Sequence, residues 1–221
     1  MYRNQYILSE IELAAPGLAA SRFSRLHVYA HPSLPVESRQ GAAAKVLLVG
    51  YVIDPLRPRL TSGAILDELG AACLSRETFF SRLQHLSGRF VMLYARGDDM
   101  LAMGDACGLR QLYYSTEPHA LALTSSPRLY ADLAGGPHIA AEARALTELP
   151  EYLSNECAWF GGACIDARLR KVLPNHALDL AGRRVFRIPL DRAGIVEERH
   201  IVDYLAELFR GSIQAAVQRF L

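Results

Sequence analysis

The chain is 221 residues long, enough for one large domain or two small ones, and its 24 Lys+Arg nearly balance 23 Asp+Glu for a formal charge of +1. With 51% hydrophobic and 21% charged residues it can fill a sizeable core, which excludes disorder as the main state. The absence of a basic excess also excludes a nucleic-acid binder that works through bulk charge.

The first six residues, Met1-Tyr2-Arg3-Asn4-Gln5-Tyr6, do not read as a secretory signal, and no apolar run reaches the roughly 18 residues of a spanning helix. A cytoplasmic location is the expectation, with no membrane and no nucleic acid as partner. Ala30-His31-Pro32-Ser33-Leu34-Pro35 is a turn-rich insert. Lys45 to Asp54 forms the longest apolar segment, a buried strand stopped by Pro55 and Pro58. Thr61-Ser62 then precedes Ala64 to Leu69, a short helix with an N-cap candidate and Gly70 as its C-terminal glycine. In a second helix, Arg76 to Leu86, Phe79, Phe80, Leu83 and Leu86 recur at helical spacing before Ser87-Gly88 ends it.

Arg89 to Ala95, Met100 to Gly104, Gln111 to Ser115 and Ala120 to Thr124 read as strands of one antiparallel meander. The continuous apolarity of Val91-Met92-Leu93 predicts burial on both faces, so something packs on each side of that sheet. Ile139 to Leu153 reads as a helix that breaks near Leu149, because Pro150 disfavours helix at the residue before it. His176 to Ile188 is a hairpin turning at Ala181-Gly182, and Pro189 to Val196 a linker. From Glu198 to Leu221, Ile201, Tyr204, Leu205, Leu208, Phe209, Ile213, Val217 and Phe220 form one broad apolar stripe of a helix that requires a partner.

Generic catalytic signatures such as GxSxG, HExxH and the phosphate-binding loops are absent. The four cysteines, Cys73, Cys107, Cys157 and Cys164, make no metal-binding comb and read as reduced, packed thiols. The seven histidines, His27, His31, His85, His119, His138, His176 and His200, are scattered and read as surface or capping residues. Trp159 and Phe160 beside Gly161-Gly162 read as a loop pinned by a buried ring.

Three segments in order are more specific. Leu86-Ser87-Gly88-Arg89-Phe90 is followed by Asp105-Ala106-Cys107-Gly108-Leu109-Arg110-Gln111-Leu112-Tyr113-Tyr114, then by Leu123-Thr124-Ser125-Ser126. They resemble the "L-x-G-x-F", "D-x-x-G-x-x-P-L-Y-Y" and "A-S-E" segments of the class II glutamine amidotransferase domain of the asparagine synthetase superfamily. Arg168-Leu169-Arg170-Lys171-Val172-Leu173-Pro174-Asn175-His176 resembles that domain's "I-x-x-L-x-P-G-H", with Asn175 where glycine is usual. The resemblance covers residues 45–188 and implies an α+β fold of the N-terminal-nucleophile type. That fold is a four-layer α/β/β/α sandwich of two antiparallel sheets, here followed by a C-terminal helix. Residues 1–190 form the amidotransferase-like domain, and 191–221 the linker and first helix of a synthetase domain.

Active members use a cysteine directly after the initiator methionine, whose own α-amine serves as base. Here Tyr2 holds that position, and a phenol is a poor nucleophile at neutral pH. The family's "N-G-E-I-Y-N" loop aligns with Val49-Gly50-Tyr51-Val52-Ile53-Asp54, keeping only Gly50, and the "D-T-E" aspartate has no acid at Thr61-Ser62-Gly63. The resemblance therefore implies no catalytic residue, no metal and no cofactor in this chain. It leaves a vacated pocket near Tyr2, Gly50, Tyr51 and Asp54. ATP and magnesium would belong to the synthetase domain of the same polypeptide, whose "S-G-G-x-D-S" loop is expected beyond Leu221. β-Lactam synthetases and lasso-peptide cyclases are relatives that dispense with the cysteine, because their amine is already in the substrate. The alternatives are a stand-alone binding module for an amino acid or peptide, and a homodimer that covers the last helix.

Overall fold

The computed structural model describes residues 2–118, 120–154, 159, 161–189 and 198–220. Twelve strands make two antiparallel six-stranded sheets. The first sheet has the order β10-β8-β9-β1-β3-β2, built from β1 (Tyr6–Ser9), β2 (Ala19–Phe23), β3 (Leu26–Ala30), β8 (Tyr113–Ser115), β9 (Ala122–Thr124) and β10 (Leu169–Lys171). The second has the order β12-β11-β7-β6-β5-β4, from β4 (Val36–Gln40), β5 (Lys45–Ile53), β6 (Ser87–Arg96), β7 (Asp99–Gly104), β11 (His176–Asp179) and β12 (Arg184–Arg187).

Residue alternation on the strands sorts the apolar side chains into three layers. Leu8, Val28, Leu47, Val49, Val91, Leu93 and Leu123 meet between the sheets. On the outer face of the second sheet, Leu48, Phe90, Met92, Tyr94 and Met103 pack against α1 (Ser62–Ala72) and α2 (Arg76–Leu83) through Leu66, Leu69, Phe79 and Phe80. On the outer face of the first, Ile7, Tyr29, Tyr113 and Leu169 pack against Leu129 and Tyr130 of α3 (Pro127–Leu133). The result is the four-layer α/β/β/α order, and the double burial expected of Val91-Met92-Leu93 is explained by α1 and α2 on one side and the other sheet on the other.

Local chemistry accounts for the element ends. The Thr61 hydroxyl accepts from Ala64 N at 3.2 Å to cap α1. Ser75 and Thr78 form a capping box on α2, and Ser126 caps α3 ahead of Pro127 in its first turn. The helix expected over 139–153 is broken as anticipated into α4 (Ala141–Thr147) and α5 (Pro150–Ser154).

Three expectations need correction. Gly70 does not end α1. It lies inside the helix, where its carbonyl accepts from Ala43 N and Ala44 N at 3.0 Å each and any Cβ would press on Gly41. Ser87-Gly88 opens β6 instead of closing α2, because Gly88 at φ +136° faces the Tyr51 carbonyl across the strand pair. The four strands after residue 89 are not one meander: β6 and β7 belong to the second sheet, β8 and β9 to the first. Residues 105–112 carry the chain across, and Asp105 fixes that crossing. Its carboxylate accepts from Cys107 N (3.2 Å), Leu109 N (2.8 Å), Arg110 N (2.9 Å) and Phe90 N (3.2 Å).

The insert at residues 30–35 has a comparable task, crossing from β3 to β4. His31 N donates to Gln5 O at 2.9 Å, Gly50 N donates to Pro35 O at 2.8 Å, and Leu34 is buried between the sheets. The linker expected at 189–196 lies almost wholly outside the described residues, as do Cys157, Phe160 and His119.

The final helix, α6 (Glu198–Phe220), crosses the loop that follows β5. Gly211 lies on the Pro55 carbonyl so closely that a Cβ has no room, and Ala215 is buried. The opposite face exposes Val202, Leu205, Phe209 (70% exposed), Ile213 and Val217. No described helix is long and apolar enough to cross a membrane.

Candidate functional site

The three motif segments converge where β1 begins. Ser125 N donates to Tyr6 O at 3.0 Å, and Tyr6 N donates to the Ser125 hydroxyl at 3.0 Å, which fixes the start of β1 against the end of β9. Gly88 lets β6 pass close to β5 there, and the Asp105 crossing closes the same end. Asn175 takes φ +59°, a left-handed conformation that asparagine tolerates better than most residues. Gly50 takes φ +111° on β5, and a Cβ there would strike the Arg89 carbonyl and lie 2.8 Å from Arg110 Nε. The glycine at position 50 is thus a backbone requirement.

The residues heading β1 are Asn4, held at φ +58°, and Gln5. Asn4 Oδ1 accepts from the Ser33 hydroxyl at 3.0 Å, and the His31 Nδ1 lies 2.8 Å from the same hydroxyl. The Gln5 Oε1 is buried without a hydrogen-bond partner among the described residues. Three arginines stand at this end. Arg110 is half-buried, with Nη1 donating to Asn4 O and Nε to Arg89 O, both at 3.4 Å. Arg89 turns its own Nε to Leu109 O at 3.2 Å and is the cross-strand neighbour of Tyr51. Arg219, from the last turn of α6, sits 4.9 Å over the Tyr51 ring and donates to the Ser62 hydroxyl at 3.0 Å. Burial pulls the Arg110 guanidinium below its ordinary value, and the charge of Arg89 adds to this.

The sequence-derived pocket residues are thereby divided. Gly50 and Tyr51 lie among these arginines. Tyr2 lies against the outer layer of the first sheet, where its hydroxyl donates to Asp132 of α3 at 3.0 Å, and that bond raises its pKa. Asp54 turns to the α1–α2 side. It accepts from Leu56 N at 3.0 Å and from Arg57 Nε at 2.8 Å, and Arg57 also grips Glu68 through two bonds of 2.8 Å. These residues line a cleft of about 280 Å³ together with Leu69, Arg82 and His85. The Arg57 bonds hold the Glu68 carboxyl below the usual range, so the charges of this cleft are paired among themselves.

Two of the described thiols are buried in the outer layers. Cys73 ends α1 and Cys164 packs in the outer layer of the first sheet, and burial pushes both upward. Cys107 is exposed in the Asp105 turn. Among the described residues, no group of three or more His, Cys, Asp or Glu is arranged to hold a metal ion.

Sequence reasoning missed Arg89, Arg110 and Arg219. The available signal was weak: two arginines embedded in the apolar motif segments, each without an acid at strand or turn spacing.

No family model matches this sequence, and no curated protein does. Among solved structures, the glutamine phosphoribosylpyrophosphate amidotransferase of B. subtilis, complexed with ADP and GMP, matches at 12% identity and a TM-score of 0.47. The match covers 85% of this chain and 44% of that one. A second structure, described as the allosteric regulatory enzyme of purine biosynthesis, matches at 12% identity and a TM-score of 0.48, covering 85% and 43%. The likeness is one of fold. The chain spans less than half the length of either protein.

Proposed function

We propose that this chain is an amidotransferase-like domain without glutaminase chemistry, structural or substrate-guiding, in an asparagine synthetase-related, ATP-dependent amide-forming ligase. The observation that carries this reading is the chemistry at the head of β1. An N-terminal nucleophile needs a thiolate or hydroxyl beside its own amine at that point. Asn4 and Gln5 supply amides only, and the Tyr2 phenol is turned to Asp132 with its pKa raised. Of the hydroxyls at this end, Ser33 donates to Asn4 Oδ1 and Ser125 is bonded to the Tyr6 backbone, and neither carries an α-amine of its own to serve as base.

A domain of this kind suits a ligase whose substrate brings its own amine. The activated carboxylate is then captured within the substrate, and ammonia from glutamine is superfluous. The exposed apolar face of α6 supports a partner: Val202, Leu205, Phe209, Ile213 and Val217 would pack against a synthetase domain of the same polypeptide. ATP and magnesium would be bound by that domain. A homodimer through the same face is the competing arrangement.

A coupled ammonia-release assay with glutamine tests the loss of activity: no turnover is expected, and clear turnover overturns the proposal. The reading frame beyond Leu221 tests the parent class, where an "S-G-G-x-D-S" loop is expected and a stop codon directly after Leu221 refutes it.

A further inference from the structure

We propose that Arg89, Arg110 and Arg219, gathered around Tyr51, form a binding site for a phosphate-class oxyanion, either free phosphate or pyrophosphate or the phosphates of a nucleotide. The inference stands whether or not the chain hydrolyses glutamine.

Several arginines elsewhere in the molecule are paired with acids. Arg57 is shared by Asp54 and Glu68, Arg76 by Asp99 and Asp179, and buried Arg168 is held by Asp166. Arg89, Arg110 and Arg219 have no carboxylate partner among the described residues, and their hydrogen bonds go to carbonyls and one hydroxyl. The acid nearest to Arg110 in the chain, Asp105, has both oxygens occupied by four backbone N–H groups. Glu37 and Asp67, near the Ser62 end, are engaged by Arg39. A half-buried guanidinium beside a second one, as Arg110 is beside Arg89, is costly unless an anion completes the arrangement.

Three guanidinium groups without a carboxylate partner among the described residues suit a phosphate better than a single carboxylate. Arg89 and Arg110 each fix their Nε on backbone of the other's segment, at Leu109 O and Arg89 O, which holds the two guanidinium groups in place. Arg219 joins them through its place 4.9 Å over the Tyr51 ring. A carboxylate matches one fork, whereas a phosphate can accept from several guanidinium groups at once and carries enough charge to offset more than one of them. Tyr51 provides the floor, holding Arg219 over its ring. Gly50 leaves the space in which Arg110 lies.

Isothermal titration of the whole chain at low ionic strength tests this, with pyrophosphate, orthophosphate, ATP and L-glutamate as separate probes. Saturable binding of pyrophosphate is expected, tighter than that of orthophosphate. Arg89→Gln and Arg219→Gln should each weaken it roughly tenfold, the loss of about one charge-assisted hydrogen bond. Arg96→Gln, at the opposite end of β6, should leave it unchanged, and circular dichroism confirms that each variant is folded. ATP binding more tightly than pyrophosphate would identify a nucleotide as the source of the phosphates, and equal or weaker binding a free anion. The proposal is overturned by three results: no saturable binding of any phosphate, glutamate binding as tightly as pyrophosphate, or affinity indifferent to both glutamine substitutions.

Discussion

Asp105 offers the most direct test of how the motif segments act. Its side chain is 2% exposed, and each oxygen serves two donors: Oδ1 takes Cys107 N and Leu109 N, Oδ2 takes Phe90 N and Arg110 N. In Asp105→Ala, the buried Phe90 N–H loses this partner, at about 1–3 kcal/mol, while the three N–H groups of the more exposed turn regain water and lose about 0.5–1 kcal/mol each. The expected destabilisation is about 2.5–6 kcal/mol, a large part of an ordinary domain's stability. Asp105→Asn separates charge from shape. Whichever way the amide is turned, its NH2 faces two donors, so half the bonds are lost, and the cheaper orientation, with the NH2 toward Cys107 N and Leu109 N, costs about 1–2 kcal/mol. Urea unfolding of both variants, followed by circular dichroism, gives the two values. If Asp105→Asn fell within 0.5 kcal/mol of the unsubstituted chain, the crossing would not depend on this carboxylate and the argument would fail.

Two further outcomes follow from contacts described above. Gly211→Ala should stabilise the chain by about 1 kcal/mol on helix propensity alone, yet its methyl group would meet the Pro55 carbonyl. Net destabilisation of about 1–2 kcal/mol in urea is therefore expected, with faster hydrogen exchange along α6. Arg168→Met would strand the buried Asp166 and cost about 3–5 kcal/mol in the same measurement. Burial opposes ionisation of Asp166, but the bonds from Arg168 outweigh it and hold the carboxyl below its ordinary value. The pair's contribution is thus complete above the unfolded pKa of about 3.9 and is lost as pH falls below it, so an acid-unfolding series should show this loss shrink in Arg168→Met.

Where physical constraint was local, the sequence was readable. The apolar run of β5, the stripe of α6, the Pro150 break and the 176–188 hairpin each depend on neighbours within a few residues. The strands β1 to β4 escaped because their partners are remote or their faces polar: β2 is exposed over Ala19 to Arg22, and β1 pairs with β9 more than a hundred residues away. The assignment of β8 and β9 to the wrong sheet has a similar origin. Nothing in the strand pattern reveals that a single aspartate diverts the chain between layers. At the candidate site, Gly50 was legible as a motif residue, while its reason, the close pass of Arg89 and Arg110, lies across strands. Arg219 reaches Tyr51 from a helix that begins 147 positions later in the chain, a proximity no spacing rule conveys.

The order in which the strands are laid down has a kinetic consequence. The chain builds β1 to β3 in one sheet, β4 to β7 in the other, returns for β8 to β10, and leaves again for β11 and β12. Neither sheet can be completed from a contiguous stretch. During synthesis, the inner edge of β1 has no strand to join until β9 leaves the ribosome, because Leu8 pairs with Leu123. Loop closures of this length must precede the reward, which makes for slow, all-or-none folding, with a sticky strand edge on offer in the meantime. Cutting the chain between the sheets' segments would therefore leave two aggregation-prone halves, neither of which carries a complete sheet.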